Sequence, residues 1–304
     1  MTTRDFRQIQ WDSQLEEDCR RIVRQAVSED LDRGHDLTTA ALIARDTSGE
    51  AAFVARQTGI ACGLQAAKIA CEEMDLNVAW QAYLADGDTL APGVSLASYS
   101  GTARDMLTGE RVALNLLCKL SGIASLTREY VDRIAGTKAA IYDTRKTTPG
   151  WRHLEKYAVR CGGARNHRTG LYDAVLIKDN HLAIAGHSGP LSEAVTRARE
   201  FVQQQLGSGT SSTIIEIEVD TLDQFREVLP VRPDIVLLDN MAPEQLTQAV
   251  RLRDAEAPDV QLEASGGINL NTIRAVAETG VDRISVGALT HAAPWLDIGL
   301  DWKT

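Results

Sequence analysis

The second half of the chain alternates short apolar runs with helical patterns, and this rhythm limits the possible fold more than any other feature. Six strand-like runs occupy residues 139–143, 175–178, 214–219, 235–239, 260–264 and 284–287. Helical patterns separate most of them, at residues 191–206, 221–229, 243–253 and 271–278. Apolar strands with helices between them are typical of a parallel sheet that is covered on both faces.

Most of these strands end on a residue that can do chemistry. The strand ends carry Asp143 with Arg145, then Lys178, Glu218, Asp239 and the turn of Ser265, Gly266 and Gly267. In an α/β barrel the C-terminal ends of the strands surround one site, whereas an open sheet collects site residues near one switch point. Charges on almost every strand therefore favour a barrel.

The first part of the chain predicts a separate domain. Strand-like stretches at 50–57, 77–84 and 94–100 accompany a helical pattern at 64–74. Ser13 and Glu16 form a capping-box pattern that predicts a helix start, and residues 28–42 have a loop-like composition. We expect an N-terminal α+β sandwich domain over residues 1–117, a barrel over 118–288 and a tail, 289–304, that packs on the first domain. Two helices, at 103–120 and 123–134, are predicted to link the domains.

One stretch differs in charge from the rest of the chain, whose formal net charge is −10. Residues 143–168 hold seven Lys and Arg against two carboxylates. Glycine and proline interrupt this stretch, so we expect its cations to lie in loops between apolar strands. That arrangement indicates a pocket for a small molecule with several negative charges, where a solvated basic face would space its charges along a helix.

Residues 143–181 resemble the signature of the quinolinate phosphoribosyltransferase family, decarboxylating enzymes that make nicotinate mononucleotide. Segments 216–219, 237–240, 263–268 and 285–291 agree, and the similarity runs in order from about residue 103 to 291. Trp151 and Ala164 depart from the Leu and Gly of the family pattern, which concerns loop detail and no charge. The resemblance implies an incomplete barrel with fewer than eight strands.

The resemblance also implies roles for the cations. It places Arg145, His167, Arg168 and Lys178 around the two carboxylates of quinolinate, and Lys146 toward the pyrophosphate of phosphoribosyl pyrophosphate. Arginine suits this task because its planar fork binds carboxylates bidentately. Arg111 resembles an arginine that reaches into the neighbouring subunit's site, which implies a homodimer or a larger even assembly.

Two glycine turns predict a phosphate site. Ser265, Gly266 and Gly267 follow a strand and precede a helix expected to begin near Asn269, so backbone N–H groups and the helix dipole favour a monoester phosphate. Gly287 at the end of the next strand could supply further amides, with His291 nearby. Phosphate sites near the last strands are common in barrels.

Glu218 and Asp239 end neighbouring strands, and two roles are open for them. They could pair with Lys146 or Lys178, or they could hold Mg²⁺, which takes one or two carboxylates together with substrate oxygens. Alternation along the strands is expected to send Glu216 and Glu263 into the barrel interior. Zinc is disfavoured because the six histidines show no ligand spacing.

Composition excludes several classes of protein. The acidic balance argues against a general nucleic-acid binder, and no apolar run approaches the ~20 residues of a membrane span. The N-terminus lacks the apolar core of a secretory signal. Five scattered cysteines without a C-x-x-C pair suit a reducing compartment, so we expect a cytoplasmic protein. Cys161 lies inside the signature, but no step of the implied reaction needs a thiolate.

The sequence alone leaves three other functions possible. A relative that transfers to nicotinate without decarboxylation would need fewer cations for carboxylates. A Schiff-base aldolase would use Lys178 or Lys146 as its nucleophile. A non-catalytic sensor of a phosphorylated ligand would not need Glu218 and Asp239 together with both anion subsites.

Overall fold

The computed structural model describes residues 4–184, 189–206 and 213–303 and divides them into two compact units. The barrel unit holds the described parts of residues 4–8, Glu129–Arg145 and Arg165–Ala288, and the sandwich unit holds Ile9–Arg128, Lys146–Ala164 and 289–303. This division differs from the predicted boundary between residues 117 and 118, because a single helix runs through that point and the chain passes between the units several times.

The sandwich unit is built on a four-stranded antiparallel sheet. In sheet order its strands are β12 (Ile298–Trp302), β1 (Ser48–Ala55), β5 (Ser95–Thr102) and β3 (Val78–Ala82), and a separate pair is formed by β2 (Gly59–Ile60) and β4 (Thr89–Leu90). Buried Phe53, Leu96 and Tyr99 belong to its core. The tail joins this sheet as an edge strand, since β12 pairs with β1 from Ala51↔Trp302 to Ala55↔Ile298.

Five helices begin in the first half of the chain. They are α1 (Ser13–Leu31), α2 (Leu37–Leu42), α3 (Leu64–Glu73), α4 (Ala103–Arg133) and α5 (Arg152–Cys161). The residue that caps α1 is Asp12, whose side chain accepts a hydrogen bond from Leu15 N, so the predicted cap at Ser13 was one residue late. No helix in the described part of the chain is both long enough and apolar enough to cross a membrane.

Three predictions about these helices were wrong. Residues 28–42 are not all loop, since they include the end of α1 and all of α2. The two predicted linking helices are the single helix α4, in which Gly122 allows a close approach: a Cβ there would lie 2.1 Å from Pro294 O. The cations of the signature are not all in loops, because Arg152, Lys156 and Arg160 lie on α5.

The barrel unit contains the six predicted strands close to their expected positions, all paired in parallel. In sheet order they are β6 (Ala140–Tyr142), β11 (Arg283–Ser285), β10 (Gln261–Ser265), β9 (Ile235–Asp239), β8 (Ile214–Val219) and β7 (Ala174–Ile177). The remaining helices are α6 (Asp179–Ile184), α7 (Leu191–Leu206), α8 (Leu222–Val228), α9 (Pro243–Glu256), α10 (Ile273–Glu278) and α11 (Ala288–His291), with a short 3₁₀ turn at Leu229–Val231.

The barrel is open between β6 and β7, which are the two edges of the sheet. Residues 165–168 lie between these edges. On one side Arg165 N donates to Ile141 O at 2.9 Å and Asp143 N donates to Arg165 O at 3.1 Å. On the other side Arg168 Nη1 donates to Ala174 O at 3.3 Å. This 165–168 segment therefore takes the place of a strand and carries two of the predicted site residues.

Phe6 closes the end of the barrel at which the strands begin. It is buried in a cluster with Tyr142, Ala174, Ile214 and Ile235. The last three are the first residues of β7, β8 and β9. The N-terminal residues of the chain thus belong to the base of the barrel, opposite the strand ends that the sequence predicts to form the site.

Candidate active site

The strand ends of the barrel unit bring four predicted site residues to one edge. Asp239 and Ser265 are the last residues of β9 and β10 and are paired in register. Glu218 pairs with Leu237, so its strand ends beside that of Asp239. Lys178 follows β7 directly. Because all these strands are parallel, the four side chains share the C-terminal edge, where barrel enzymes place their sites.

Glu218 forms an ion pair with Lys178, which was one of the two alternatives that the sequence left open. Nζ of Lys178 donates to Oε2 of Glu218, and the Glu218 side chain is largely buried. Asp239 accepts a hydrogen bond from Asn240 Nδ2 at 2.6 Å. Both carboxylates supply oxygen atoms at neighbouring strand ends, and this donor set fits a hard divalent cation shared with substrate oxygens.

Two arginines lie close together within the same unit. Arg168 is 6% exposed, and burial lowers the pKa of its guanidinium; the nearby charge of Arg145 lowers that pKa further. Glu216 and Asp173 act in the opposite direction. Guanidinium groups that repel one another in a buried place are stabilised when an anion binds between or beside them. This pair is therefore the strongest electrostatic indication of a carboxylate site.

His167 faces the barrel interior from the 165–168 segment. Its Nε2 lies 3.1 Å from Glu216 Oε2 and 3.5 Å from Glu263 Oε1, and its Nδ1 accepts a hydrogen bond from Arg168 N at 2.8 Å. Both glutamates are fully buried, so their predicted interior position is confirmed. The histidine thus connects a buried acidic pair to the backbone of Arg168.

Glu263, one of these two buried glutamates, has a raised pKa. Burial raises its pKa to about 7; the charge of Glu216 acts in the same direction, whereas His167 and Arg283 act against it. A hydrogen bond from Ser285 also favours the charged form. The folded protein therefore holds this proton more tightly than the unfolded chain does.

Replacing Glu263 with glutamine should alter the pH dependence of the free energy of unfolding. The tighter binding of this proton in the folded state adds to the free energy of unfolding. The added free energy is fully present below the ordinary pKa of 4.5 and is lost as the pH rises through about 7. Glutamine cannot ionise. We therefore expect Glu263→Gln to gain about 1–3 kcal/mol relative to the parent protein when the pH rises from about 5 to about 8.

Urea denaturation of both proteins at the two pH values measures this difference. Glu200→Gln is a matched control, because Glu200 is exposed on α7, and it should show no such pH-dependent gain. A Glu263→Gln effect that is equal at both pH values would contradict the raised pKa.

The glycine turn after β10 has the backbone that a phosphate loop needs. Gly266 and Gly267 have φ of 91° and 62°, and the turn borders a cavity of about 350 Å³ that also reaches Met241 and Thr272. The helix beyond the turn begins at Ile273 and not near Asn269 as predicted. Asn269 instead forms a turn, accepting from Asn271 N at 2.9 Å. The cavity is lined by the glycine turn and by the first turns of the helix that begins at Ile273.

The two glycines should differ in their tolerance of a side chain. A Cβ on Gly266 would lie 2.2 Å from Asn240 Oδ1 and 2.8 Å from Asn240 N, whereas a Cβ on Gly267 would meet nothing within 4 Å. We expect Gly266→Ala to cost about 2–4 kcal/mol of unfolding free energy, from overlap and backbone strain. Gly267→Ala should cost only about 1 kcal/mol, from the backbone alone. Equal losses in urea denaturation would contradict this packing.

The other predicted site residues are divided between the units. Gly287 follows β11 in the barrel unit. Arg111 on α4, Lys146 and His291 belong to the sandwich unit, and each is exposed there. Their roles in binding substrate remain predictions from the resemblance.

Sequence reasoning missed two residues that shape the site. Asn166 is fully buried and donates from Nδ2 to Asp143 Oδ2 at 2.6 Å, which fixes the 165–168 segment to the end of β6. Asn240 has a φ of 54° and packs over Gly266. An asparagine directly after a strand-ending aspartate is a local signal for such a left-handed turn.

A parallel barrel with arginines, a lysine–carboxylate pair and a glycine turn at its strand ends defines an enzyme class that acts on anionic, phosphorylated small molecules. Comparison with known proteins narrows this class. The N-terminal domain of the quinolinate phosphoribosyl transferase family matches residues 36–121, and its C-terminal domain matches residues 123–301. The chain therefore belongs to the quinolinate phosphoribosyltransferase family.

Individual relatives agree over nearly the whole chain. A nicotinate-nucleotide pyrophosphorylase [carboxylating] of Mycobacterium leprae is 42% identical over 287 residues, covering 93% of this chain and 96% of its own. A probable enzyme of the same name from Bacillus subtilis is 40% identical, with 93% and 92% covered. The solved structure of the nicotinate-nucleotide pyrophosphorylase from Francisella tularensis has a TM-score of 0.87 at 36% identity, with 98% of this chain and all of the other covered.

Proposed function

We propose that this protein transfers the phosphoribosyl group of phosphoribosyl pyrophosphate to quinolinate and releases pyrophosphate and CO₂, giving nicotinate mononucleotide. The observation that carries the proposal is the pair of neighbouring arginines, Arg145 and Arg168, in a barrel whose strand ends also hold Lys178 and the glycine turn. A diacid needs several fixed cations, and a sugar phosphate needs a turn with exposed amides.

The reaction requires little proton transfer. The bond from the anomeric carbon to pyrophosphate breaks through an oxocarbenium-like state, and the pyridine nitrogen forms the new bond on the opposite face. Arg145, Arg168 and Lys178 hold the two carboxylates so that this nitrogen points at the anomeric carbon. Positioning and fixed charge therefore supply most of the rate acceleration.

Decarboxylation follows from the first step. Once the ring nitrogen carries the ribosyl group, it is positively charged, and the bond between the ring and the 2-carboxylate breaks to give CO₂. The electron pair left on the ring carbon is stabilised by the adjacent cationic nitrogen and then takes a proton. The cations around the carboxylates orient them and do not need to accept protons.

Glu218 and Asp239 are the residues that would hold Mg²⁺. The ion, when bound, stabilises negative charge on the pyrophosphate that leaves. Lys178 then has two roles: it neutralises Glu218 before substrate binds, and it is available to a substrate carboxylate afterwards. Lys146, His291 and Gly287 keep the phosphate and pyrophosphate roles that the resemblance implies.

The acceptor specificity tests this function. Purified protein with Mg²⁺ and phosphoribosyl pyrophosphate should use quinolinate with a kcat/KM at least ~100-fold above that for nicotinate, because nicotinate lacks one of the two carboxylates that the cations bind. A preference for nicotinate would favour the non-decarboxylating alternative. Trapping of a lysine adduct by borohydride would favour the aldolase.

We also propose that the protein is a homodimer in the cytoplasm and that Arg111 completes the partner's site. Large apolar side chains of the barrel unit are exposed, with Leu171 at 72%, Tyr172 at 81% and Ile184 at 88%, and such residues suit a subunit contact. Five free thiols fit a reducing compartment.

Subunit complementation tests the shared site. Arg111→Ala and Lys178→Ala homodimers should each be nearly inactive. After subunit exchange, about half of the dimers are mixed and each mixed dimer has one intact site, so activity should recover to about a quarter of the parent value. No recovery, with mixed dimers shown to form, would contradict a site that uses both subunits.

A further inference from the structure

Three residues near the N-terminus, Asp5, Phe6 and Gln8, each contact a different residue of the 165–168 segment. Asp5 Oδ2 accepts from Arg165 Nη1 at 3.1 Å. The ring of Phe6 lies on the ring of His167, with 4.3 Å between centroids and 31° between planes. Gln8 contacts Asn166. Residues 5–8 are separated from this segment by about 160 residues of chain, so the match depends on the fold.

The side chain of Gln8 forms hydrogen bonds with both backbone polar groups of Asn166. Its Oε1 accepts from Asn166 N at 2.8 Å, and its Nε2 donates to Asn166 O at 3.1 Å. The same Nε2 donates to Phe6 O at 2.8 Å, which joins the two N-terminal contacts into one structure. A side-chain amide that satisfies both groups of one buried residue replaces the strand pairing that the open barrel lacks here.

The 165–168 segment ends at Arg168, so the position of its backbone sets the position of that side chain. Arg168 is buried beside Arg145, and the two guanidinium groups repel each other. Contacts that hold the backbone of the segment therefore hold Arg168 beside Arg145. Asn166, through its contact with Asp143, and His167, through Arg168 N, pass the restraint from residues 5–8 to Arg168.

We propose that Gln8 and Phe6 are positioning residues for the quinolinate carboxylate site, acting through the Asn166–His167 backbone on Arg168. Phe6 lies at the base of the barrel, and both residues are assigned an indirect role, through Arg168, in place of contact with the substrate. The contacts of His167 with Glu216, Glu263, Phe6 and Arg168 N assign its ring to the same supporting structure. The N-terminal tail thus sets affinity for the diacid and leaves the phosphate turn unaffected.

This inference rests on the proposed function, and steady-state kinetics with both substrates tests it. Gln8→Ala should lower kcat/KM for quinolinate about ten-fold, as expected for the loss of the two hydrogen bonds to Asn166. It should leave kcat/KM for phosphoribosyl pyrophosphate, measured at saturating quinolinate, within about two-fold. Gln8→Glu keeps the acceptor and loses the donor, so it should fall between. Phe6→Leu should resemble Gln8→Ala, and Gln10→Ala, which changes an exposed glutamine nearby, should resemble the parent enzyme.

The ratio of the two kcat/KM values separates positioning from a general loss of folded protein. A misfolded fraction lowers both values equally and leaves the ratio unchanged, which would overturn the proposal even for a poorly folding variant. If the parent enzyme does not consume quinolinate at all, the proposed function fails instead.

A double-mutant cycle with Arg168→Ala tests the route of action. If Gln8 acts through Arg168, Gln8→Ala should have less than about a two-fold further effect on kcat/KM for quinolinate once Arg168 is replaced. A full ten-fold further loss in the double variant would show that Gln8 acts by another route and would overturn the proposal.

Discussion

Arg168→Ala should raise the KM for quinolinate about 100-fold or more and change the KM for phosphoribosyl pyrophosphate less than about three-fold. Burial lowers the pKa of the Arg168 guanidinium, and the nearby charge of Arg145 lowers that pKa further. A substrate carboxylate beside the two guanidinium groups would offset their repulsion. Removing the guanidinium therefore removes interactions with the diacid and not with the sugar phosphate.

Two further variants make the Arg168 test specific. Arg168→Lys keeps the charge and loses the bidentate fork, so its KM for quinolinate should rise only about ten-fold. Arg197→Ala removes an exposed arginine of α7 and should change neither KM. Equal increases in both KM values for Arg168→Ala, or a Lys variant that equals the parent enzyme, would contradict the carboxylate role.

Glu218→Gln should reduce kcat about 100-fold and raise the Mg²⁺ concentration for half-maximal activity about ten-fold. The substitution keeps the shape of the side chain and removes the charge that faces Lys178 beside the strand end of Asp239. Magnesium titrations at saturating substrates measure both quantities, with Glu200→Gln as the control on an exposed helix position.

The metal dependence distinguishes the two roles of Glu218. If Glu218 serves only as the ion-pair partner of Lys178, then Lys178→Met and Glu218→Gln should both leave the Mg²⁺ requirement of the residual activity unchanged. If it holds the ion, only Glu218→Gln and its counterpart Asp239→Asn should shift that requirement. An unchanged magnesium requirement in both carboxylate variants would rule out metal binding by this pair.

The barrel could be predicted because its signals are local. Each strand is a short and mostly apolar run, and residues two apart share a face, so Glu216 and Glu218 point the same way at different depths. The same alternation places Glu263 below Ser265 on β10. The buried glutamates follow from this two-residue period, and the glycine turn follows from the two glycines directly after β10.

Two helical features were predicted wrongly because the local sequence favoured a different structure. Glycine and proline around α5 favoured loops, although Leu154, Ala158 and Val159 give that helix a buried face. Gly122 suggested a helix break, but α4 continues through it. Because glycine has no side chain, the backbone of Pro294 can lie against the helix at this point. In both cases tertiary packing decided the structure against the local preference.

The support of Arg168 had no local signal at all. Gln8 and Asn166 are 158 residues apart, and although Asn166 lies within the signature stretch 143–181, nothing in the sequence connects it with Gln8. The division into compact units differs from the predicted boundary for a related reason, since residues 146–164 leave the barrel unit between β6 and the 165–168 segment. Contacts between segments that are far apart in the sequence cannot be predicted from local periodicity.

The most direct measurement is the stoichiometry of release from quinolinate labelled with radioactive carbon in its 2-carboxylate. With phosphoribosyl pyrophosphate and Mg²⁺, CO₂ and pyrophosphate should appear in equal amounts and at equal rates, with a product that has lost the label. Pyrophosphate release without matching CO₂, or a ribosylated product that keeps both carboxylates, would contradict a barrel site built to hold the diacid beside the sugar phosphate.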